Sequence, residues 1–290
     1  MNELDKYKIA YSFDRAASAY EKNAVLQKTV AERLLSRLDL LTVKPKWIAD
    51  IGSGTGTTSR ALAGRYKSAR VAQIDLSPLM LLQSRSKSRI FFSRQYYCCA
   101  DAENIPLAAR KIDLVFSSLT YQWCNDTDRA FAEVKRVLRP NGLFLFATLG
   151  PDTLRELRTS WAAVDDDTHV NTFFDMHDIG DALVRAGLES VVMDVEIITL
   201  NYPDCLSLMR DIKIVGAHNT NQARPKTLTG KRKMQLMIAA YEKFRRGSVL
   251  PATYEIVYGH AWAPTSDQNT KQGTVAYVPL ESLRKTRDRK

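Results

Sequence analysis

Asp50-Ile51-Gly52-Ser53-Gly54-Thr55-Gly56 is the stretch from which the fold is read. It follows the apolar run Trp47-Ile48-Ala49 and precedes a segment with helical spacing, 57–66. A glycine loop between a strand and a helix is the setting in which backbone approaches a ligand, because glycine tolerates positive φ and offers no Cβ. The same loop could also be a tight turn with no ligand. Its spacing narrows the ligand. A dinucleotide fingerprint runs G-x-G-x-x-G; here the glycines run G-x-G-x-G, with Thr57 beyond them. The Gly-Lys-Ser/Thr ending of a phosphate loop is missing. Asp50 would repel a pyrophosphate and favour a ligand bearing positive charge. S-adenosylmethionine, with its ammonium and sulfonium, fits.

Outward from the loop, short apolar runs at 47–51, 70–74, 95–99, 112–117 and 143–148 alternate with helical patterns at 57–66, 78–86 and 127–138. Such alternation predicts a parallel sheet covered on both faces. Open α/β sheets bind ligands at the carboxyl ends of their strands. Two more acids fall there. Asp75 ends the second run and suits ribose hydroxyls; Asp101 ends the third and suits an adenine amino group. Either alone could be a helix cap. Asp50, Gly52, Gly54, Gly56, Asp75, Leu76, Asp101, Ala102 and Ser117 are therefore the expected cofactor residues. These features together resemble the class I S-adenosylmethionine-dependent methyltransferases. The fold expected is α/β and Rossmann-like: a mostly parallel seven-stranded sheet, with a helical lid inserted before the last strand.

The flanks are read from the same periodicities. Residues 1–46 are expected to form a helical lid region. Further helices are expected at 152–163 and 178–186, the latter stopped by Gly187, with a sixth strand at 191–200 and a last at 253–262. The core then comprises 47–202 and 250–265, and 203–249 is a helical insert with a break at 219–230.

With 290 residues, 45% hydrophobic and 26% charged, the chain has the composition of a globular protein. No apolar run approaches the ~18 residues of a membrane span. The start, Met1-Asn2-Glu3-Leu4-Asp5-Lys6, has no apolar stretch and carries two acids, so the expected address is cytoplasmic. Cys98, Cys99, Cys124 and Cys205 contain no C-x-x-C pair, and Cys98-Cys99 reads as strand packing rather than a metal site. The net charge of +10 is concentrated: 224–246 carries +7 and the tail 284–290 carries +4. The first is either a solvated helix face or a docking surface for an acidic partner. Only Tyr241 and Phe244 interleave with its cations, which is thin for nucleic acid.

Several blocks resemble one family, the malonyl-acyl-carrier-protein O-methyltransferases of biotin synthesis. They are Phe13-Asp14-Arg15-Ala16-Ala17-Ser18-Ala19-Tyr20, the run from Leu149-Gly150-Pro151 to Leu157, the run from His169 to Asp178, Gly216-Ala217-His218-Asn219, Leu228-Thr229-Gly230-Lys231, and Tyr254-Glu255-Ile256-Val257-Tyr258-Gly259-His260. The resemblance covers nearly the whole chain except the last twenty or so residues. Ser53 stands where Cys is frequent in the family. The resemblance implies methylation of the free carboxylate of a malonyl thioester, which masks its charge and lets it prime pimeloyl synthesis. It also implies acyl carrier protein, which is acidic, as the partner of 224–246. No nucleic-acid or membrane partner is expected, and a monomer is the default expectation. A carboxylate is already ionised at neutral pH, so no general base, metal or covalent intermediate is expected.

Tyr20 is the first choice for closing over the cofactor, helix packing being its other reading. Tyr121 and Trp123 lie where acceptors bind in this fold, or pack in the core. Arg15, His218 and Arg224 are the candidates for carboxylate recognition; His218 could instead cap or fill core, and Arg224 could face the carrier protein. His169, His177 and His260 are assigned no role. The alternatives are a relative of a complex I assembly factor that modifies a protein side chain, resembled through Leu149–Leu157 and Asn201-Tyr202-Pro203; another small-molecule or RNA methyltransferase; and a cofactor-binding assembly module.

Overall fold

The computed structural model of the chain describes residues 4–88, 94–217 and 230–265. The amino-terminal segment forms three helices, α1 (Lys6–Ala16), α2 (Tyr20–Asn23) and α3 (Val25–Arg37). Asp5 caps α1 by accepting from the Lys8 N–H at 3.1 Å. Ala24, at φ −80° and ψ 56°, breaks the helical path between α2 and α3. The alternating region then supplies β1 (Trp47–Ile51), α4 (Thr57–Arg65), β2 (Arg70–Asp75), α5 (Pro78–Ser86), β3 (Gln95–Cys99), β4 (Ile112–Ser118), α6 (Thr127–Val137) and β5 (Leu138–Leu149). It is followed by α7 (Arg155–Ala162), α8 (Met176–Arg185), β6 (Glu189–Tyr202), α9 (Cys205–Ile214), α10 (Lys231–Glu242) and β7 (Leu250–Trp262).

The seven strands form one sheet in the order β3-β2-β1-β4-β5-β7-β6. Strands β1 to β5 run parallel, and β7 lies antiparallel between β5 and β6. The order reverses between β1 and β4, so the carboxyl ends of these two strands flank the crevice where open sheets take ligands. Alternate residues of the central strands feed opposite cores. Leu114, Phe116, Leu143 and Leu145 join the core with α3, α4, α7, α9 and α10, whereas Val115, Phe144 and Phe146 join the one with α6 and α8. Burial on both faces is why these strands read as continuous apolar runs.

Element ends differ from the sequence reading where tertiary bonds intervene. β5 starts at Leu138, which pairs with Ile112 across a register shift. α7 starts at Arg155 because Leu154 turns to φ +55° and donates its N–H to Thr253 O at 2.6 Å. α8 starts at Met176, capped by Asp175, which accepts from the His177 N–H at 2.8 Å. β6 and β7 outrun their expected 191–200 and 253–262 because they pair with each other from Glu189↔Trp262 to Tyr202↔Leu250.

Candidate active site

The glycine loop turns out of β1 with Gly52, Gly54 and Gly56 all at positive φ, +70°, +53° and +76°. Two of them are demanded by packing. A Cβ on Gly52 would meet Thr120 Oγ1 at 1.9 Å, and one on Gly56 would meet Ser84 Oγ at 1.8 Å. Gly54 differs: its missing Cβ faces open space, with Tyr20 Cε1 the nearest atom at 4.0 Å. Gly54 is the point at which the backbone is bare to a ligand.

Asp75, at the end of β2, accepts from the Gly54 N–H at 2.7 Å and from the Ser77 N–H at 2.8 Å. Burial pushes its pKa up to about 6 against those two hydrogen bonds, the charge of Asp14 adding to the rise. Asp50 lies beneath the loop, where it accepts from the Ser59 hydroxyl. Burial pushes it up to about 7; the Ser59 bond opposes this and the Asp75 charge adds to it. The three acids do not share one cavity. Asp75 and Asp101 line a cleft with Gly52, Gly54, Leu76 and Ala102. Asp50 lines a separate recess, again with Gly52 and Gly54. The amino-terminal helices close the cleft through Lys6, Ile9, Phe13 and Tyr20.

Lys6 has no counterpart in the sequence reading. Its Nζ donates to Asp101 at 3.1 Å and to Glu103 at 2.6 Å, tying α1 to the loop after β3. Asp14 works similarly, accepting from the Ser77 hydroxyl at 2.5 Å and the Leu79 N–H at 3.0 Å, and so capping α5 from α1. Glu21 clasps the glycine loop itself. It accepts from Thr55 Oγ1 at 2.8 Å and from Arg60 at 2.9 Å, and pairs with Lys87 at 2.8 Å. Partial burial raises its pKa, but the Lys87, Thr55 and Arg60 hydrogen bonds prevail and hold it down to about 2. No local motif could have announced these contacts, which join residues dozens of positions apart.

A second cavity adjoins the first, and Phe13, Tyr20, Leu119 and Trp123 line both. The Phe13 ring meets Trp123 edge-on at 5.5 Å and Tyr20 at 6.5 Å. Tyr20 and Trp123 thus stand at the boundary where a donor and an acceptor would meet. The far walls of this cavity come from α3, α9 and the 169–173 segment before α8. They are mainly apolar, with Asn23, Gln27, Gln122, His169 and Asn171 among the polar groups. Among the described residues, no Lys or Arg lines it.

Three expected site residues are placed elsewhere. Ser117 is fully buried and donates to Ile51 O at 2.8 Å, joining β4 to β1; strand alternation gives the cleft Ser118 instead. Tyr121 is 2% exposed and packs among Phe131, Phe144 and Phe146, with ring centroids 5.1–6.0 Å away. The short helical turn Tyr121–Trp123 sends these two rings in different directions, one to the core and one to the cavities. Arg15 is exposed on α1, over the Tyr11 ring at 5.9 Å, and lines neither cavity. His218 and Arg224 lie outside the described residues. In the other direction, His169, assigned no role from sequence, stands on the cavity wall. It stacks on Trp161 at 3.7 Å and its Nε2 lies 2.8 Å from Asp165 Oδ1. Lys233 of α10 donates to Asp165 at 2.7 Å, holding that carboxyl down to about 2 with help from His169.

The basic segment is partly consumed inside the molecule. Lys233 is tied to Asp165 and Arg245 to Glu242, whereas Lys231, Arg232, Lys243 and Arg246 are exposed. Arg224 and Lys226 fall outside the described residues, as does the tail. Cys98 packs against the core cluster that includes residues of α6 and α8, and Cys99 is exposed. Among the described residues no helix is long and apolar enough to cross a membrane.

Residues 49–146 match the family described as a methyltransferase domain. The YcgJ protein of Bacillus subtilis shares the fold, with a TM-score of 0.59 at 14% identity over 81% of this chain and 99% of that one. The [4+2]-cyclase SpnF does so at 0.50 and 17% identity, over 82% of each chain. Likeness at these identities concerns the fold alone, and a cyclase on the same scaffold shows that the fold leaves the chemistry open. The sequence relatives are more specific. Malonyl-[acyl-carrier protein] O-methyltransferases of Methylovorus sp. and Laribacter hongkongensis are 50% and 49% identical over 90% and 92% of both chains. That of Xylella fastidiosa is 40% identical over 98% of this chain and 97% of its own. Nothing in these likenesses favours the side-chain-modifying alternative. Identity of this depth over almost the entire length, on a sheet whose crevice holds two joined cavities, leads to one assignment: the chain is an S-adenosylmethionine-dependent methyltransferase and belongs to the malonyl-[acyl-carrier protein] O-methyltransferase family.

Proposed function

We propose that this chain moves the methyl group of S-adenosylmethionine onto the free carboxylate of a malonyl thioester carried by acyl carrier protein. In this reading the methyl ester primes assembly of the pimeloyl precursor of biotin, in the cytoplasm, and the enzyme acts as a monomer without a metal. The observation that carries it is the pair of cavities sharing the Phe13, Tyr20 and Trp123 wall. A methyl transfer needs two ligands approaching each other through one aperture, with water kept out.

The residues present suit the cofactor. Gly54 is bare of any side chain at the cleft, and the half-buried Asp75 carboxylate keeps lone pairs for ribose hydroxyls beyond its two N–H bonds. Asp101, which lines the same cleft, suits the adenine end, and Asp50 supplies negative charge beneath the loop. S-adenosylmethionine, when bound, supplies an electrophilic methyl on a sulfonium. The chain's own part is alignment and exclusion of water. Phe13, Tyr20 and Trp123 form an apolar frame around the aperture, and burial together with the nearby Asp75 charge holds the Tyr20 hydroxyl protonated. A carboxylate needs no base to activate it. Charge is neutralised as an anion meets a cation, so a site poor in water and in fixed cations favours the displacement. Holding oxygen and methyl at about 3 Å is then the main catalytic task.

Residues 1–46 and the 203–249 insert serve as lids over the two cavities, since α1 and α2 close the cleft while α3 and α9 wall the acceptor side. Exposed Lys231, Arg232, Lys243 and Arg246 suit an acidic carrier protein. The test is intact-mass spectrometry of malonyl-acyl carrier protein after incubation with the chain and S-adenosylmethionine. A gain of one methylene, absent with acetyl-acyl carrier protein, is expected. No gain, with calorimetry showing that the cofactor binds, would overturn the carboxylate reading.

A further inference from the structure

We propose that Asn171 is the residue that grips the malonyl carboxylate, through a neutral amide rather than through a cation. The inference rests on the malonyl reading and names the acceptor subsite within it. Asn171 lines the acceptor cavity and is only 8% exposed, yet its Oδ1 has no hydrogen-bond partner. Buried polar groups are nearly always paired, and one left orphaned on a cavity wall points to a missing ligand.

The other polar groups on that wall are engaged or wet. Asn23 Nδ2 donates to Ala19 O at 2.8 Å, and Gln122 donates to Leu119 O at 2.8 Å while accepting from Thr148 at 3.1 Å. Thr153 donates to Glu255 O at 3.1 Å, His169 is held by Asp165, and the Asp211 carboxylate, which also lines the cavity, accepts from the Tyr202 hydroxyl at 2.7 Å. Gln27 is half-exposed, so water can satisfy it. Asn171 is also held firmly in place. Val170 beside it is buried, and His169 is clamped between the Trp161 ring and Asp165, itself fixed by Lys233.

The ligand chemistry follows from what an amide can offer. It carries N–H donors at one end and a carbonyl at the other, and a half-turn about its last torsion exchanges them. An anionic acceptor therefore meets N–H. Neutrality matters to the reaction, because the carboxylate loses its charge as the new O–C bond forms and the sulfonium C–S bond breaks, the electron pair staying on sulfur. A fixed guanidinium or ammonium would stabilise the starting anion more than the transition state. An amide orients the oxygen with less of that penalty, which fits a wall without Lys or Arg among the described residues.

The experiment compares wild type with Asn171→Leu, Asn171→Asp and Asn171→Gln on malonyl-acyl carrier protein. Cofactor affinity by calorimetry and thermal stability are measured alongside. Asn171→Leu should lower kcat/KM by ~10- to 100-fold, the size of one lost hydrogen bond to a charged group. It should leave cofactor affinity within ~2-fold and leave the melting temperature equal or raised, since an unpaired buried polar group is removed. Asn171→Asp should lose more, by repulsion, and Asn171→Gln should recover part. Unchanged kcat/KM in Asn171→Leu would overturn the proposal. So would a parallel fall in stability and cofactor affinity, the mark of a merely structural amide. A wild type that binds the cofactor but leaves malonyl-acyl carrier protein unmodified would overturn the malonyl reading and this subsite with it.

Discussion

Alanine at Gly54 and alanine at Gly56 should fail in opposite ways. Both positions need positive φ, which costs a side-chain-bearing residue about 1–2 kcal/mol. At Gly54 the added methyl meets nothing closer than 4.0 Å, so that cost is nearly the whole effect on stability. At Gly56 it would stand 1.8 Å from Ser84 Oγ and 2.8 Å from Ser84 Cβ, so rotating the hydroxyl away is not enough and α5 must move. The move disrupts the buried bond from Ser84 Oγ to Gln73 Oε1, 2.6 Å long. An unsatisfied buried acceptor costs about 1–3 kcal/mol, and overpacking about as much again. Gly56→Ala should therefore lose roughly 3–8 kcal/mol in total. At roughly 2–4 °C per kcal/mol for a chain near this size, Gly54→Ala should melt a few degrees lower and Gly56→Ala well over ~6 °C lower. Binding should rank the other way once corrected for unfolding, because the Gly54 methyl enters the cofactor cleft beside Tyr20. Thermal unfolding and calorimetric titration with S-adenosylhomocysteine read the two effects separately. Equal destabilisation of both variants, or undiminished affinity in folded Gly54→Ala, would refute this account of the loop.

Three further outcomes follow from the site. Because folding raises the pKa of Asp50 to about 7 and of Asp75 to about 6, these groups add stability in acid that is lost as pH rises through 6–7. A cationic cofactor favours their ionised forms, so its affinity should rise from pH 6 to 7.5, with proton release on binding; Asp50→Asn should weaken both trends, and a pH-independent affinity in wild type would contradict the electrostatic role. Glu21→Gln loosens the clasp on Thr55, Arg60 and Lys87, and should speed cofactor dissociation several-fold in stopped-flow measurements. Since these ion pairs are part-exposed, the melting temperature should change by no more than a few degrees, and unchanged dissociation would rule out a latch. Charge reversal at Lys231 and Arg232 should raise KM for the carrier-bound substrate more than for a small malonyl thioester. Lys233→Glu should impair both substrates, because Lys233 anchors Asp165 under the acceptor wall; equal losses at Lys231 and Arg232 would remove the docking surface from this helix.

The sequence by itself determined the sheet, its ligand edge and the kind of ligand. Apolar runs of strand length, the G-x-G-x-G spacing and the acids Asp50, Asp75 and Asp101 are local signals, because backbone conformation and strand burial depend on near neighbours. Only the tertiary structure decided where side chains point. Ser117 and Tyr121 sit one residue and one turn from the cavities, yet face the interior, since the pleat and the turn reverse direction over single residues. Lys6, Glu21 and Asn171 reach the site from helices and loops whose docking is set by contacts far apart in sequence. The charge count showed a basic segment, but not that Lys233 and Arg245 are consumed by Asp165 and Glu242. Pairing of that kind depends on distances across packed elements, and no one-dimensional spacing carries them.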